Sequence, residues 1–185
     1  MEKVLLHCCC APCSSAIIER MQNNSIQPVI FYFNPNIYPL DEYLKRKNEC
    51  IRYTNAKNVE FIDGDYNHAE WLEKIKGYET CRERGDRCLQ CFKTRLQATA
   101  HLAEQMNIPL FSTTLSASRW KSYEQIVEAG VFAESMVENT RFWNKNWKKG
   151  GLSERRRILL LENEFYNQDY CGCEFSFNTR NVQRK

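Results

Sequence analysis

A doubly wound α/β architecture, a mostly parallel sheet with helices on both faces, is what the 185-residue sequence predicts, and three observations lead there. Short apolar runs of strand length alternate with longer amphipathic stretches. Each run is separated from the next by a segment long enough for a helix, so successive strands must run parallel and be joined by crossovers. The residues with the most chemical character follow the apolar runs directly, at the edge where open parallel sheets bind their ligands.

Taken in order, residues 3–7 read as the first strand and 14–23 as a helix, with Pro12 suited to a first helical position. Residues 28–34 form a second strand, 40–57 a helix and 59–63 a third strand. A short helix is expected near 68–76 and a longer one over 89–106, with Asp86 able to cap it. Residues 110–115 are the fourth strand, and helices follow near 122–138 and 153–165, the last an additional C-terminal helical segment. No repeat, low-complexity linker or domain boundary interrupts residues 1–185, which are expected to form a single domain, and Gly150-Gly151 marks a turn.

Net charge is +3, from 26 basic and 23 acidic residues, too mild to require a nucleic-acid partner. Neither a signal peptide nor an apolar run near the roughly 20 residues of a spanning helix is apparent, so a cytoplasmic protein without a membrane partner is expected. At this length roughly 70% of the unfolded surface can be buried, and disulfide staples are unnecessary.

Against that background ten cysteines point to chemistry rather than to stapling. Eight fall into three knots, Cys8-Cys9-Cys10-Ala11-Pro12-Cys13, Cys88-Leu89-Gln90-Cys91 and Cys171-Gly172-Cys173. In a reducing compartment such spacing indicates metal binding or redox chemistry. The first two knots sit at helix amino ends, where partial positive charge favours thiolate, and Arg82, Arg84, Arg87, Lys93 and Arg95 add to it around the second. Two pairs of that kind satisfy four-thiolate coordination by zinc or by an iron–sulfur cluster, which spacing does not separate. Position at the ligand-binding rim favours a working centre over a structural one. The third knot suits an easily reduced disulfide, with Gly172 for flexibility, or two further metal ligands.

Cys9-Cys10-Ala11-Pro12-Cys13-Ser14, the turn Asn34-Pro35-Asn36-Ile37-Tyr38-Pro39, Gly64-Asp65-Tyr66, Arg87-Cys88 with Cys91, Thr113-Thr114-Leu115 and 168–176 around Cys171-Gly172-Cys173 together resemble the QueH family of epoxyqueuosine reductases, nearly from end to end. The resemblance implies a fold similar to the adenine nucleotide alpha hydrolases, a 4Fe-4S cluster without cobalamin, and reduction of epoxyqueuosine at the wobble position of tRNA. Where those hydrolases carry a glycine-rich phosphate loop this chain has thiols, so ATP binding is not expected. Carried over residue by residue, Cys9, Cys10, Cys88 and Cys91 are the cluster ligands and Cys171 with Cys173 a redox-active pair. An additional iron is implied, with Cys13 and Asp65 as candidate ligands and Asp169 as a rival. Cys8, Cys50 and Cys81 fall outside the motif positions, and Cys50 reads as a buried apolar thiol.

Epoxide removal needs two electrons, protons and an acid for the leaving oxygen, for which Asp65, Asp169, Tyr38 and Tyr170 are candidates. His68 and His101 are expected on helix surfaces, and His7 in a buried strand. An electron donor is required, and its identity is open. Recognition of tRNA is expected from the basic-aromatic stretch 141–149, from Arg155-Arg156-Arg157 and from Arg180 with Arg184-Lys185, with Trp120, Trp143 or Trp147 holding bases apart or simply packing in the core. Two other functions fit parts of the pattern. Cys10-Ala11-Pro12-Cys13 at a helix start suits a thiol–disulfide oxidoreductase, and the knots suit a zinc-stabilised RNA-binding module.

Overall fold

The computed structural model describes residues 2–183, and the side chains of residues 2–180. Strands β1 (Glu2–His7), β2 (Ile26–Tyr32), β3 (Glu60–Asp63), β4 (Leu110–Thr113) and β5 (Arg141–Phe142) form one sheet. Their order is β3-β2-β1-β4-β5 and every pairing is parallel. Helices α1 (Ala11–Asn23), α2 (Leu40–Ala56), α3 (His68–Lys74), α4 (Asp86–Gln105), α5 (Tyr123–Glu134), α6 (Leu152–Glu162) and α7 (Glu174–Gln183) connect and follow them.

Alternation along β1 divides the interior. Val4, Leu6 and Cys8 point into a core closed by Ile17, Ile18 and Met21 of α1, Tyr43, Cys50 and Tyr53 of α2, and Leu159 of α6. Leu5 points the other way, onto Phe92, Leu96 and Ala100 of α4 and Ile126, Ala129 and Ala133 of α5. The expected helices on both faces are therefore present. Each fully buried aliphatic side chain on this sheet contributes about 1.5–3 kcal/mol relative to exposure.

Several boundaries differ from the sequence expectation, each for a local reason. Helix α1 starts at Ala11 because Pro12 occupies its first turn, where a missing N–H costs nothing. Gly85, not Asp86, is the N-cap of α4; Asp86 stands inside the first turn, where its carboxylate meets the positive helix end. The fourth strand stops at Thr113, whose Oγ1 accepts the N–H of Leu115 at 3.1 Å and turns the chain into the 3-10 segment Thr114–Ala117. Strand β5 and helix α7 lie outside the sequence expectation. β5 is two residues long and exists through its neighbour, with Arg141 N donating to Pro109 O at 2.9 Å and Trp143 N to Phe111 O at 2.7 Å.

Close approach at one glycine ties α5 to that edge. A Cβ on Gly130 would lie 2.1 Å from Cε1 of Phe142, inside any tolerable contact. Gly130→Ala is expected to push the Phe142 ring off Phe111 and lower stability by about 1–3 kcal/mol, measurable by urea denaturation. An unchanged midpoint would show that the ring moves without cost.

The order of strands turns around at β1, with β2 on one side and β4 on the other. Loops leaving β1 and β4 diverge there and open a crevice at the carboxyl edge. The cysteine knot after β1 and the Thr114 turn after β4 both lie in it.

Candidate metal centre

Cys8 continues the strand ladder, its N–H donating to Phe31 O at 2.9 Å, and Cys9 leaves it, its N–H donating to Thr114 Oγ1 at 3.1 Å. Cys10 is the N-cap of α1 and supplies a backbone carbonyl, not its side chain, to Cys13 N and Ser14 N. The cap thiol is thereby left free for other work. Cys9, Cys10 and Cys13 bring their sulfurs within 4.8 Å of one another and are all buried. Cys8, one residue earlier on the pleat, points into the opposite core, 3.5 Å from the Cys50 sulfur.

The trio shares protons unequally. Hydrogen bonds from Cys10 and then Cys13 outweigh burial and hold the Cys9 thiol well below its ordinary pKa, with help from Lys121 and Arg95. Its hydrogen bonds with Cys13 and Cys9, and then burial, push Cys10 up. For Cys13 the hydrogen bond with Cys10 acts downward, but Cys9 and burial prevail and push it up to about 12. Thr114 Oγ1 donates to Cys9 Sγ at 3.4 Å, and Gln168 Nε2 to Cys10 Sγ at 2.9 Å.

A second set of thiols gathers on the start of α4. Cys88 and Cys91, three residues apart on one helix face, line a cavity with Cys171, Cys173, Trp71, Arg87, Arg95 and Asn36. Burial, then the neighbouring Cys171, pushes Cys88 up to about 11. Burial also raises Cys91, although Arg95 and Trp71 act against it. The C-terminal segment reaches this point because Gly172 O accepts the N–H of Tyr38 at 2.8 Å and Cys171 O accepts from Arg46 Nη1 at 3.3 Å. Gly172 has φ +130°, and a Cβ there would meet Arg46 Nη1 at 3.1 Å, so only glycine lets the strap lie down.

Two buried cations connect the sets. Arg95 is 2% exposed and donates to Asn34 Oδ1 at 2.5 Å, while Asn34 Nδ2 donates to Cys8 O at 2.9 Å. Lys121 is 7% exposed, and its Nζ meets Ser118 Oγ at 3.3 Å. Burial works against the Lys121 charge, yet Cys171 and Cys9 more than offset it and raise its pKa. Among the described residues neither cation has a carboxylate within ion-pair distance. Nor has Arg87, which donates instead to the carbonyls of Glu79 and Cys81. The buried Nε atoms of Arg87 and Arg95 find no acceptor among the described residues. The cavity wall is rich in donors and positive charge, which an anionic, thiolate-bound group would satisfy.

Other sequence candidates are placed as follows. Asp65 is exposed and lines a separate cleft with Pro35, Asn67 and Lys74, and among the described residues it is not grouped with Cys9, Cys10 and Cys13. Asp169 pairs with Arg180 at 2.5 Å. Tyr170 is buried with its hydroxyl on the Tyr38 carbonyl, a structural use, and Tyr38 is exposed and stacks on His68. His68 is half-buried rather than on the surface, its Nδ1 on Pro35 O at 2.8 Å. His7 is fully buried, and burial followed by Arg95 lowers its pKa to about 3. Its Nε2 contacts Phe33 O and therefore carries the proton, leaving Nδ1 to accept from Thr113 Oγ1.

Trp147 is a core residue, Trp143 is half-buried, and Trp120 stands at the cavity mouth beside Arg84, Cys88 and Cys171. In the arginine run, Arg155 pairs with Glu19 and Arg157 with Glu154, whereas Arg156 donates to Pro12 O at 2.9 Å beside the trio. Arg184 and Lys185 lie outside the described residues. Sequence reasoning assigns no role to Lys121 or Gln168, because an isolated Lys or Gln in a polar loop carries no periodic signal.

A family model described as Epoxyqueuosine reductase QueH matches residues 4–179. Curated proteins named Epoxyqueuosine reductase QueH include one from Acinetobacter baylyi, 42% identical over 183 residues, covering 99% of this chain and 84% of the relative. One from Histophilus somni is 41% identical over 184 residues, covering 100% and 76%. One from Haemophilus influenzae is 40% identical over 184 residues, covering 100% and 75%. Among solved structures, a predicted subunit of tRNA methyltransferase from Methanocaldococcus jannaschii superposes with TM-score 0.56 at 13% identity, covering 93% of this chain and 95% of that one, a likeness of fold alone.

Proposed function

The chain belongs to the epoxyqueuosine reductase QueH family, and on that premise we propose that its thiol chamber removes the epoxide oxygen of epoxyqueuosine at the wobble position of tRNA, using a 4Fe-4S cluster. Cys9, Cys10, Cys88 and Cys91 would hold the cluster, and Cys13, whose sulfur lies within 4.8 Å of the first two, is the donor available to an additional iron. When bound, such centres supply electrons singly and a Lewis acid for oxygen. What carries this assignment is the convergence of seven thiols from three segments on buried cations that no carboxylate neutralises among the described residues. A thiolate-bound anionic cluster satisfies those cations; a simple exchange pair at Cys10 and Cys13, both buried, would not be reachable by a protein disulfide.

The remaining chemistry falls to the chain's own groups. Removing an epoxide oxygen consumes two electrons and two protons and yields an alkene and water. Oxidation of the Cys171 and Cys173 thiols to a disulfide releases two electrons and two protons, so the stoichiometries match. Cys171 is half-buried at the mouth while Cys173 is buried, which lets one sulfur meet an external donor and the other face the chamber. Lys121 places positive charge beside Cys171, and Arg95 places it beside Cys91. Trp120, under the Arg119 guanidinium at 4.6 Å, offers a stacking surface at the entrance for a base drawn out of the anticodon loop. Asp169, held by Arg180, is the carboxyl retained as candidate acid.

The test is an anaerobic preparation assayed for iron, acid-labile sulfide and zinc, then given tRNA bearing epoxyqueuosine and a chemical reductant, with nucleosides read by mass spectrometry. Iron and sulfide together with loss of one oxygen from the nucleoside are expected. Zinc without sulfide, or an unchanged nucleoside mass, would end the proposal.

A further inference from the structure

Away from the thiols, at the far end of α1, lies a cleft of about 320 Å³ that the chemistry above does not use. Its floor is apolar and aromatic, with Met21, Leu152 and Trp143, and its rim carries Arg20, Lys145 and Lys149. Trp143 stands edge-on to Trp147 at 5.3 Å, which braces one ring against the core and leaves the other half-exposed. The turn Gly150-Gly151, with φ +68° and +78°, brings residues 145–152 back over α1, where Arg20 Nη2 donates to Gly150 O at 2.7 Å.

Charge at this cleft is one-sided. Among the described residues Arg20, Lys145 and Lys149 have no carboxylate partner, whereas Arg155, on the adjoining turn of α6, is neutralised by Glu19 and Glu162. Lys145 Nζ lies 6.0 Å from the Trp143 ring centre, so its charge is already poised over an aromatic face. A cavity this size is at the small end of ligand pockets and has room for one base and part of its sugar. An aromatic face under uncompensated cations is the combination that binds a base together with its phosphate.

We infer that this cleft holds a second nucleotide of the tRNA substrate, its base stacked on Trp143 and its phosphate on Lys145 and Lys149, apart from the base that reacts. This rests on the RNA-modifying function proposed above and adds a location to it. From Cys13 to Met21 the helix rises eight residues, about 12 Å at 1.5 Å each, so cleft and thiol chamber lie within reach of one anticodon loop. Arg156, donating to Pro12 O between the two, continues the basic track. The cleft would then set the register in which the wobble base meets the chamber.

Binding of a fluorescent anticodon stem-loop by the full chain, titrated against salt, tests this. Lys145→Glu with Lys149→Glu is expected to weaken binding at least tenfold and to flatten the salt dependence by about two phosphate contacts. Trp143→Ala is expected to weaken it about tenfold with the salt slope unchanged. A control pair of equal charge change, Lys3→Glu with Lys76→Glu on other exposed faces, should lose much less. Cleft variants that bind like the control pair overturn the inference while leaving the reductase function in place. A wild-type chain that binds no stem-loop and is also inactive on whole tRNA overturns both. Quenching of tryptophan fluorescence by adenosine or guanosine monophosphate at lower concentration than by the stem-loop would make the occupant a free nucleotide and likewise overturn it.

Discussion

Cys88→Ser and Cys91→Ser chains, prepared without oxygen, are expected to lose bound iron and sulfide together with the colour these give, and to reduce epoxyqueuosine at background rate. Serine is nearly isosteric, so the backbone of α4 should persist. What changes is the donor: a hydroxyl is a hard ligand that stays protonated, where a thiol can become the soft thiolate that iron–sulfur chemistry requires. Burial raises the pKa of both thiols. Only a strongly bound positive centre would remove their protons at neutral pH, so the cost of substitution should be close to all-or-none. Cys50→Ala is the control, because that thiol is 1% exposed in the opposite core and touches Cys8 rather than the chamber. Iron and sulfide retained in full by both serine variants would remove Cys88 and Cys91 from the ligand set and leave the trio Cys9, Cys10 and Cys13 as the site.

Lys121→Met should separate stability from function, lowering turnover while leaving stability nearly unchanged. An ammonium at 7% exposure is disfavoured by burial and by facing Arg95, but Cys171 and Cys9 more than offset both, so the fold holds its charge favourably. Replacing it with an apolar side chain of similar length removes the desolvation penalty and the attraction that offsets it together, so stability in denaturant should change by no more than about 1 kcal/mol. Turnover should fall about 10- to 100-fold, because the thiols lose the charge that balances them. A reduction potential measured on the loaded protein should move negative, since removing a nearby cation disfavours the more negatively charged reduced state. Lys121→Arg, keeping the charge, should restore the potential more than the rate. A variant that is destabilised, with potential and turnover intact, would make Lys121 a structural residue.

The division between what the chain's order of residues announces and what folding adds is visible element by element. Periodic apolar runs are enough for four strands and the helices between them, because a period of two or of 3.6 is a local property. Strand β5 is not legible, since Arg141 and Phe142 become a strand only by borrowing the carbonyls of Pro109 and Phe111. Helix α7 escapes for a related reason: ten mixed residues after a Cys-Gly-Cys turn have little pattern of their own, and the helix depends on the docking of Phe175 and Cys173 against Trp71.

The candidate site divides in the same way. Thiol spacing and motif order by themselves pointed to the family, marked the knots as more than structural and put the first of them after a strand end, because a chain with an ample core has no structural need for cysteines in such density. Only tertiary structure decided how the thiols sort, with Cys8 turned away by the pleat, Cys13 drawn to Cys9 and Cys10 by the first turn of α1, and Cys171 and Cys173 laid against Cys88 and Cys91 by the Gly172 strap. It also set Asp65 outside the group and brought Lys121 and Arg95 inside. The reason is physical: spacing along the chain constrains neighbours within a turn or two, whereas charge balance in a buried chamber is settled by residues far apart in sequence that share no pattern until the sheet closes over them.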